Sequence, residues 1–104
     1  MIIFKGFKLP KIGGIALFPF IFLREENPSD VLVHHEKIHI RQQLELLIIP
    51  FYIWYLLEWL VHFISVRDFW EAYRLISFEK EAYANEEDLT YLMNRPFWAF
   101  LYYL

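Results

Sequence analysis

The sequence predicts an α+β domain that is mostly α-helical, with short N-terminal β-strands followed by three helices. Two observations support this prediction. All three glycines and three of the five prolines fall within the first thirty residues, between β-rich runs. Long apolar segments bounded by helix-capping residues make up the rest of the chain. Because 104 residues is an ordinary size for one domain, we expect residues 1–104 to form a single domain.

The clearest β-rich run covers residues 15–23. Pro19 lies inside this run and removes one backbone donor from any ladder that the run would join. A strand with such a gap lies at the edge of a sheet or carries a bulge. We therefore predict an edge strand at this point.

The three predicted helices, each bounded by a cap or a proline, cover residues 31–49, residues 51–66 and residues 69–94. Pro50 ends or kinks the first of them, and Ser29 or Asp30 can cap its N-terminus. Asp68 and Glu71 have the spacing of a capping box at the start of the third. That helix is expected to pause around Ser77 and resume. The aromatic tail after it is expected to pack back on the domain.

Composition excludes some functions and suggests a partner. Hydrophobic residues make up 58% of the chain, above the ~45–50% of an average soluble domain, so we expect part of this surface to meet a membrane interface or a second copy. The net charge is −3 and the basic residues form no stripe, which argues against a nucleic-acid partner. Without cysteine, any metal must be held by His, Asp or Glu.

His35, Glu36 and His39 form an HExxH motif inside the first predicted helix. The four-residue spacing places both imidazoles on one face, where both can reach one Zn²⁺ ion at ~2.0–2.1 Å. In a zinc hydrolase of this kind the ion lowers the pKa of its bound water, which attacks a peptide carbonyl while the glutamate takes the proton. The motif therefore predicts His35 and His39 as zinc ligands and Glu36 as the general base.

A catalytic zinc site needs a third protein ligand and one open position. Residues 78–86, FEKEAYANE, resemble the glutamate helix of the gluzincin metallopeptidases, in which an ExxA motif supplies that ligand. Glu79 and Glu81 both fit, but they point to nearly opposite sides of a helix, so only one can bind the ion. The F-E-x-x-A form favours Glu79. Asn85 suits the Glu81 register, and Tyr83 stands where the family usually has Asp, which leaves both registers open.

The order of elements from residue 15 onward also resembles a group of small bacterial proteins with HExxHxRQQ and FE-x-EAY segments. This resemblance implies a minimal gluzincin core, in which an edge strand before the motif pairs with the substrate backbone. Larger gluzincins place a His or Tyr after the glutamate helix to stabilise the oxyanion. Tyr91, Tyr102 and Tyr103 could serve here, and a weak or inactive enzyme would follow if none does. His34 is expected at the surface.

The location of the protein is predicted from two segments. Residues 1–7 are too short an apolar stretch for a signal peptide, so we expect a cytoplasmic protein or one that is peripheral on the membrane. Residues 46–66 could span a bilayer by length, but a straight crossing would separate His39 from Glu79 by ~30 Å. We therefore expect this segment to fold back against the motif helix.

Three functional hypotheses follow. The leading one is a zinc-dependent peptidase that acts on a peptide or protein. The alternative is a non-catalytic, membrane-associated protein in which the same helices hold a structural zinc or no metal. A third is a purely structural helical module that binds no metal.

Overall fold

In the computed structural model, which describes residues 2–6, 8 and 12–104, a small sheet packs beside a set of helices. The predicted α+β, mostly α fold is confirmed. The elements are β1 (Ile2–Phe4), β2 (Gly14–Leu17), β3 (Phe20–Leu23), α1 (Asp30–Glu45), α2 (Ile49–Val66), α3 (Phe69–Leu75), α4 (Ser77–Asn85), α5 (Tyr91–Asn94) and a 3₁₀ helix (Ala99–Tyr103).

The sheet has the strand order β1-β3-β2, with β3 parallel to β1 and antiparallel to β2. The prediction of one strand over residues 15–23 is wrong, because Phe18 and Pro19 form the turn of a hairpin between β2 and β3. Pro19 costs no ladder hydrogen bond in that turn. β2 is an edge strand and packs against α1, so an edge strand does lie beside the motif helix.

The junction between α1 and α2 differs from the prediction. Ser29 caps α1 as expected, since its Oγ accepts from the backbone N–H of Leu32 at 3.1 Å. The helix ends at Glu45 rather than at residue 49, because Leu47 and Ile48 take positive φ values of 59° and 68° and turn the chain. Pro50 lies in the first turn of α2, where a missing N–H has no intrahelical partner to lose.

The third predicted helix is three shorter helices, α3, α4 and α5. Asp68 caps α3 as predicted, accepting from the N–H of Glu71 at 2.9 Å. The expected pause is a break at Ile76, whose backbone is extended. Glu58 of α2 accepts from the N–H of Ser77 at 2.8 Å. A side chain from a neighbouring helix therefore bonds one of the backbone N–H groups that lack an intrahelical partner at the start of α4.

The helical core forms where α2, α4 and the C-terminal segment meet, around Phe51, Phe78 and Phe100. Phe100 is fully buried, so the predicted packing of the tail on the domain is confirmed. The opposite side of α2 is an exposed aliphatic surface, the α2 stripe, which consists of Ile49, Ile53, Leu56, Leu57, Leu60, Val61 and Ile64.

Within the described part of the chain, α2 is the one helix long and apolar enough to cross a membrane. Length and composition are weak support for a span. The helix folds back beside α1 and α3, as the sequence predicts. The α2 stripe is the surface that the expected membrane or second copy would contact. Both partners, and the location of the protein, stay predictions.

Candidate metal centre

Two helices bring the three predicted ligands together. His35 and His39 leave one face of α1, and Glu79 reaches them from the first turn of α4. The Nε2 atoms of the two histidines lie 3.2 Å apart, and Glu79 Oε1 lies 3.3 Å from the first and 3.1 Å from the second. All three side chains are buried. We call His35, His39 and Glu79 the triad; it is a group that could hold a metal ion.

The size of this triangle suits a tetrahedral zinc site. Ligand atoms at 2.0–2.1 Å from a tetrahedral ion are about 3.3 Å from one another. The three separations in the triad are 3.1, 3.2 and 3.3 Å. The donor set of two imidazoles and one carboxylate also matches the ligands that zinc accepts.

The Nδ1 atoms of both histidines are held by acceptors. His35 Nδ1 lies 3.0 Å from a carboxylate oxygen of Glu86, and His39 Nδ1 lies 2.8 Å from Oε1 of Gln42. The amide nitrogen of Gln42 donates to the carbonyl of Phe78 at 3.1 Å and to Glu81 at 3.0 Å, so its oxygen is the end that faces His39. Each Nδ1 therefore carries a proton, and in the neutral rings each Nε2 offers a lone pair to the centre of the triad.

The electrostatics of the triad indicate a site that requires positive charge. Burial alone would raise the pKa of Glu79, but His39 and His35 outweigh it and hold that pKa well below its usual range. Burial alone would lower the pKa of His39, but Glu79 raises it to about 9. With both rings neutral, three lone pairs converge, and either a proton on His39 or a metal ion can supply the positive charge.

Glu36 lies on the open side of this group and is not one of its members. Its side chain is buried, and burial raises the pKa of its carboxyl despite the nearby histidines. It lines two cavities that meet at the triad. The larger cavity, of about 530 Å³, also contains His35, Tyr83 and Glu86. The smaller cavity, of about 210 Å³, also contains His39 and Glu79, together with the residues of β2.

Glu81, the alternative third ligand, points away from the histidines into a separate buried cluster. Its carboxylate pairs with the guanidinium of Arg95 and accepts from the hydroxyl of Tyr91 at 2.7 Å. Asn85, which was linked to this register, donates to the backbone of Glu81 and to the hydroxyl of Tyr103 rather than to a histidine. The structure therefore brings Glu79, and not Glu81, to the HExxH motif.

His34 is buried, and the expectation that it lies at the surface is wrong. Its Nδ1 lies 3.0 Å from the backbone carbonyl of Glu86, the residue whose side chain contacts His35. Two adjacent histidines of α1 thus hold the C-terminal end of α4, where carbonyls lack intrahelical partners. Tyr83, which stands where the gluzincins usually have Asp, packs the edge of its ring against His35, with 4.5 Å between ring centroids.

The tyrosines proposed as oxyanion donors do not line either of the two cavities. Tyr91 and Tyr103 are bonded within the Glu81 cluster, and Tyr102 is 80% exposed. Tyr73 of α3 lines both cavities next to Glu36. Burial raises the pKa of Tyr73, with further contributions from Glu79 and from a hydrogen bond to Tyr83, so its hydroxyl stays protonated.

Four residues of the centre were not predicted, and two of them have a detectable signal. Gln42 follows His39 by three positions and Glu86 follows Glu79 by seven, so each shares a helix face with a residue of the triad. Tyr55 and Tyr73 come from α2 and α3, and no local spacing links them to the motif. Tyr55 donates to the second oxygen of Glu79 at 2.7 Å, which fixes the orientation of that carboxylate.

Compared with known proteins, the chain matches no family model, and neither a curated protein nor a solved structure matches it.

Proposed function

We propose that the protein is a zinc-dependent peptidase in which His35, His39 and Glu79 hold Zn²⁺ and Glu36 is the general base. The observation that carries the proposal is the convergence of three lone pairs, spaced for a tetrahedral ion, on a cleft that Glu36 also lines. A buried group of acceptors without a cation is costly, and a divalent ion relieves that cost. The resemblance of the motif and of the FExxA segment to gluzincins points to the same chemistry.

Zinc bound here would supply Lewis acidity, lowering the pKa of water and polarising a carbonyl. The chain's own residues then perform the proton transfers. Glu36 takes the proton of the attacking water and passes it to the amide nitrogen that leaves, and its raised pKa brings it nearer to neutral pH, where a general base is most effective. The Tyr73 hydroxyl, which is hydrogen-bonded to Tyr83, lines the cleft and would stabilise the developing oxyanion by turning toward it.

The number of ligands favours an enzyme over a structural zinc protein. Structural zinc sites are closed by four protein ligands, whereas catalytic sites keep one position open. Among the described residues the group has three members, and two cavities reach it. This supports the peptidase over the membrane-associated, non-catalytic alternative.

Glu36→Gln tests the proposal. Purified wild-type protein is expected to hold about one zinc per chain by metal analysis, and to cleave an unstructured protein such as casein. Glu36→Gln should keep the zinc and lose at least about 100-fold in activity, because the ligands remain and the base is gone. A wild type that refuses zinc at neutral pH would contradict the metal site. Zinc binding without cleavage would instead support the non-catalytic alternative.

A further inference from the structure

The outer edge of β2 runs along the smaller cavity, next to the proposed base. The backbone N–H of Arg24 donates to the carbonyl of Gly13 at 2.9 Å, and residues alternate in an antiparallel ladder. The backbone groups of Gly14, Ala16 and Phe18 therefore face away from β3, toward the cleft. These are the groups to which an extended peptide could add.

Gln43 of α1 already occupies the far end of that edge. Its amide nitrogen donates to the carbonyl of Ala16 at 2.7 Å, and its oxygen accepts from the N–H of Phe18 at 2.8 Å. One residue of an added parallel strand would make this same pair of hydrogen bonds. The side chain is 1% exposed, and the hydroxyl of Tyr52 donates to its oxygen at 3.3 Å, so the amide is held in place.

The remaining part of the edge lies against Glu36. A Cβ added at Gly14 would come within 3.3 Å of Glu36 Cγ and within 2.8 Å of a Leu23 methyl group. Glycine therefore lets this backbone approach the base. A peptide that bonds to Gly14 and to the N–H of Ala16 would pass directly beside Glu36.

The smaller cavity continues from this point and is mostly apolar. Its walls include Phe51, Tyr52 and Tyr55 from α2 and Leu17 from β2, and no Lys or Arg of the described residues lines it. Such walls favour an aliphatic or aromatic side chain over a charged one. The larger cavity, on the other side of Glu36, contains the polar side chains of Arg74 and Glu86.

We infer that the substrate is an extended peptide with an apolar side chain in the smaller cavity, and that Gln43 ends the substrate strand on that side. Gln43 is thus a residue that determines specificity. It closes the edge at the carbonyl of Ala16 and the N–H of Phe18, so the peptide cannot extend past this point, while the other direction stays open. This inference rests on the proposed function, because it takes the triad as the place where the peptide is cut.

Peptide hydroxamates test the inference on zinc-loaded protein without requiring turnover. The hydroxamate group binds zinc and fixes the register of the attached residues. One series carries it at the carboxyl end and a second carries it on an N-terminal succinyl group, so the two series extend to opposite sides of the metal. Each series has Leu or Lys next to the hydroxamate and one, two or four further alanines, and affinities are measured by titration calorimetry.

One series, the one directed into the smaller cavity, should prefer Leu to Lys by about 10-fold or more, as expected for burying an aliphatic side chain. In that series the affinity should stop rising as alanines are added. In Gln43→Ala it should keep rising with length. The other series should gain with length in both proteins.

Several outcomes would overturn the inference. A preference for Lys in both series, a length limit in both or in neither, or equal length dependence in wild type and Gln43→Ala would each do so. If Gln43→Ala does not fold, the comparison of the two series on wild-type protein still decides. Failure of the proposed function is a separate result: the protein would take up no zinc, or acetohydroxamate alone would not bind.

Discussion

Glu79 and Glu81 stand two residues apart on α4, are almost completely buried, and serve opposite purposes. Glu79 meets two imidazoles and the Tyr55 hydroxyl, with a cleft on its open side. Glu81 meets Arg95, whose guanidinium also donates to Glu45 at 2.6 Å. The Glu81 cluster already contains a cation, the guanidinium of Arg95. The carboxylate of Glu79 is buried as well, but only a proton or a metal ion can supply the positive charge beside it.

This difference separates a group that could hold a metal ion from a cluster that anchors the C-terminal segment. Burial alone would lower the pKa of Arg95, but its pairing with Glu81 and Glu45 raises that pKa further above its usual value, so the guanidinium keeps its charge. It ties the C-terminal segment to α1 and α4, since Glu45 also accepts from the backbone N–H of Trp98 at 2.9 Å. Gln42 links the two clusters, because it contacts both Glu81 and His39, a proposed ligand.

The largest effect is expected from Glu79. Glu79→Gln should abolish zinc binding in competition titrations, because only two imidazoles remain, and its melting temperature should no longer rise when zinc is added. In chelator its melting temperature should fall less than that of Glu81→Gln, because His39 can release its proton when the carboxylate is lost, whereas Arg95 cannot. Glu81→Gln should show the reverse, retaining zinc but melting at a lower temperature in both conditions, since Arg95 loses a charged partner; breaking a buried pair costs about 3–5 kcal/mol.

Glu81→Ala is a more severe test of whether Glu81 is a structural anchor or a metal ligand. It should destabilise the protein more than Glu81→Gln without removing a ligand. Should Glu81→Gln lose zinc while Glu79→Gln keeps it, the assignment of the third ligand would pass to Glu81. If neither substitution affects zinc, the gluzincin interpretation fails even when the histidines bind a metal.

A smaller effect is expected from Glu86, which holds the Nδ1 atom of His35. Glu86→Ala should weaken zinc binding by about 10–100-fold, the usual cost of losing a residue that orients a metal ligand. Glu86→Gln keeps an acceptor oxygen and should restore most of the affinity. The backbone carbonyl of Glu86 still accepts from His34 in both variants, so the packing of α4 on α1 is a matched background. Equal loss in both variants would indicate that charge rather than orientation matters.

A still smaller effect is expected from Tyr55. Tyr55→Phe removes the hydroxyl that donates to the second oxygen of Glu79, so the carboxylate gains rotational freedom and zinc affinity should fall by about 10-fold. Tyr52→Phe is the matched control on the same helix, because its hydroxyl contacts Gln43 and no ligand. Identical affinities for the two variants would remove Tyr55 from the centre.

Much of this arrangement could be predicted from local spacing. The HExxH motif, the Ser29 and Asp68 caps and the pause before α4 depend on residues within one or two helical turns. The fold class depends on the same kind of signal. These features were recognisable because the residues that define them are neighbours in the sequence.

The features that were missed depend on contacts between distant segments. Residues 15–23 look like one strand because Phe18 and Pro19 are as apolar as their neighbours, and only the pairing of β2 with β3 identifies them as a turn. The choice between Glu79 and Glu81 depended on Arg95, which lies fourteen residues beyond Glu81 in the sequence. Tyr73, proposed above as the oxyanion donor, lies on α3, and no local spacing links that helix to the HExxH motif.

The smallest effect on zinc is expected from the α2 stripe, which lies on the side of α2 away from the triad. Leu57→Ser and Val61→Ser should leave zinc affinity within about 2-fold of the wild type, because neither side chain touches a ligand or a residue that holds one. Both are more than half exposed in the described structure, so the folded protein should also lose little stability.

The double variant distinguishes between the two partners expected from composition, a membrane interface and a second copy of the chain. Reduced flotation with liposomes at unchanged molecular mass would support a membrane interface, whereas a dimer that becomes a monomer in light scattering would support a second copy. A loss of zinc would contradict the separation of the stripe from the centre, and would mean that the packing of α2 on α4 controls the position of Glu79.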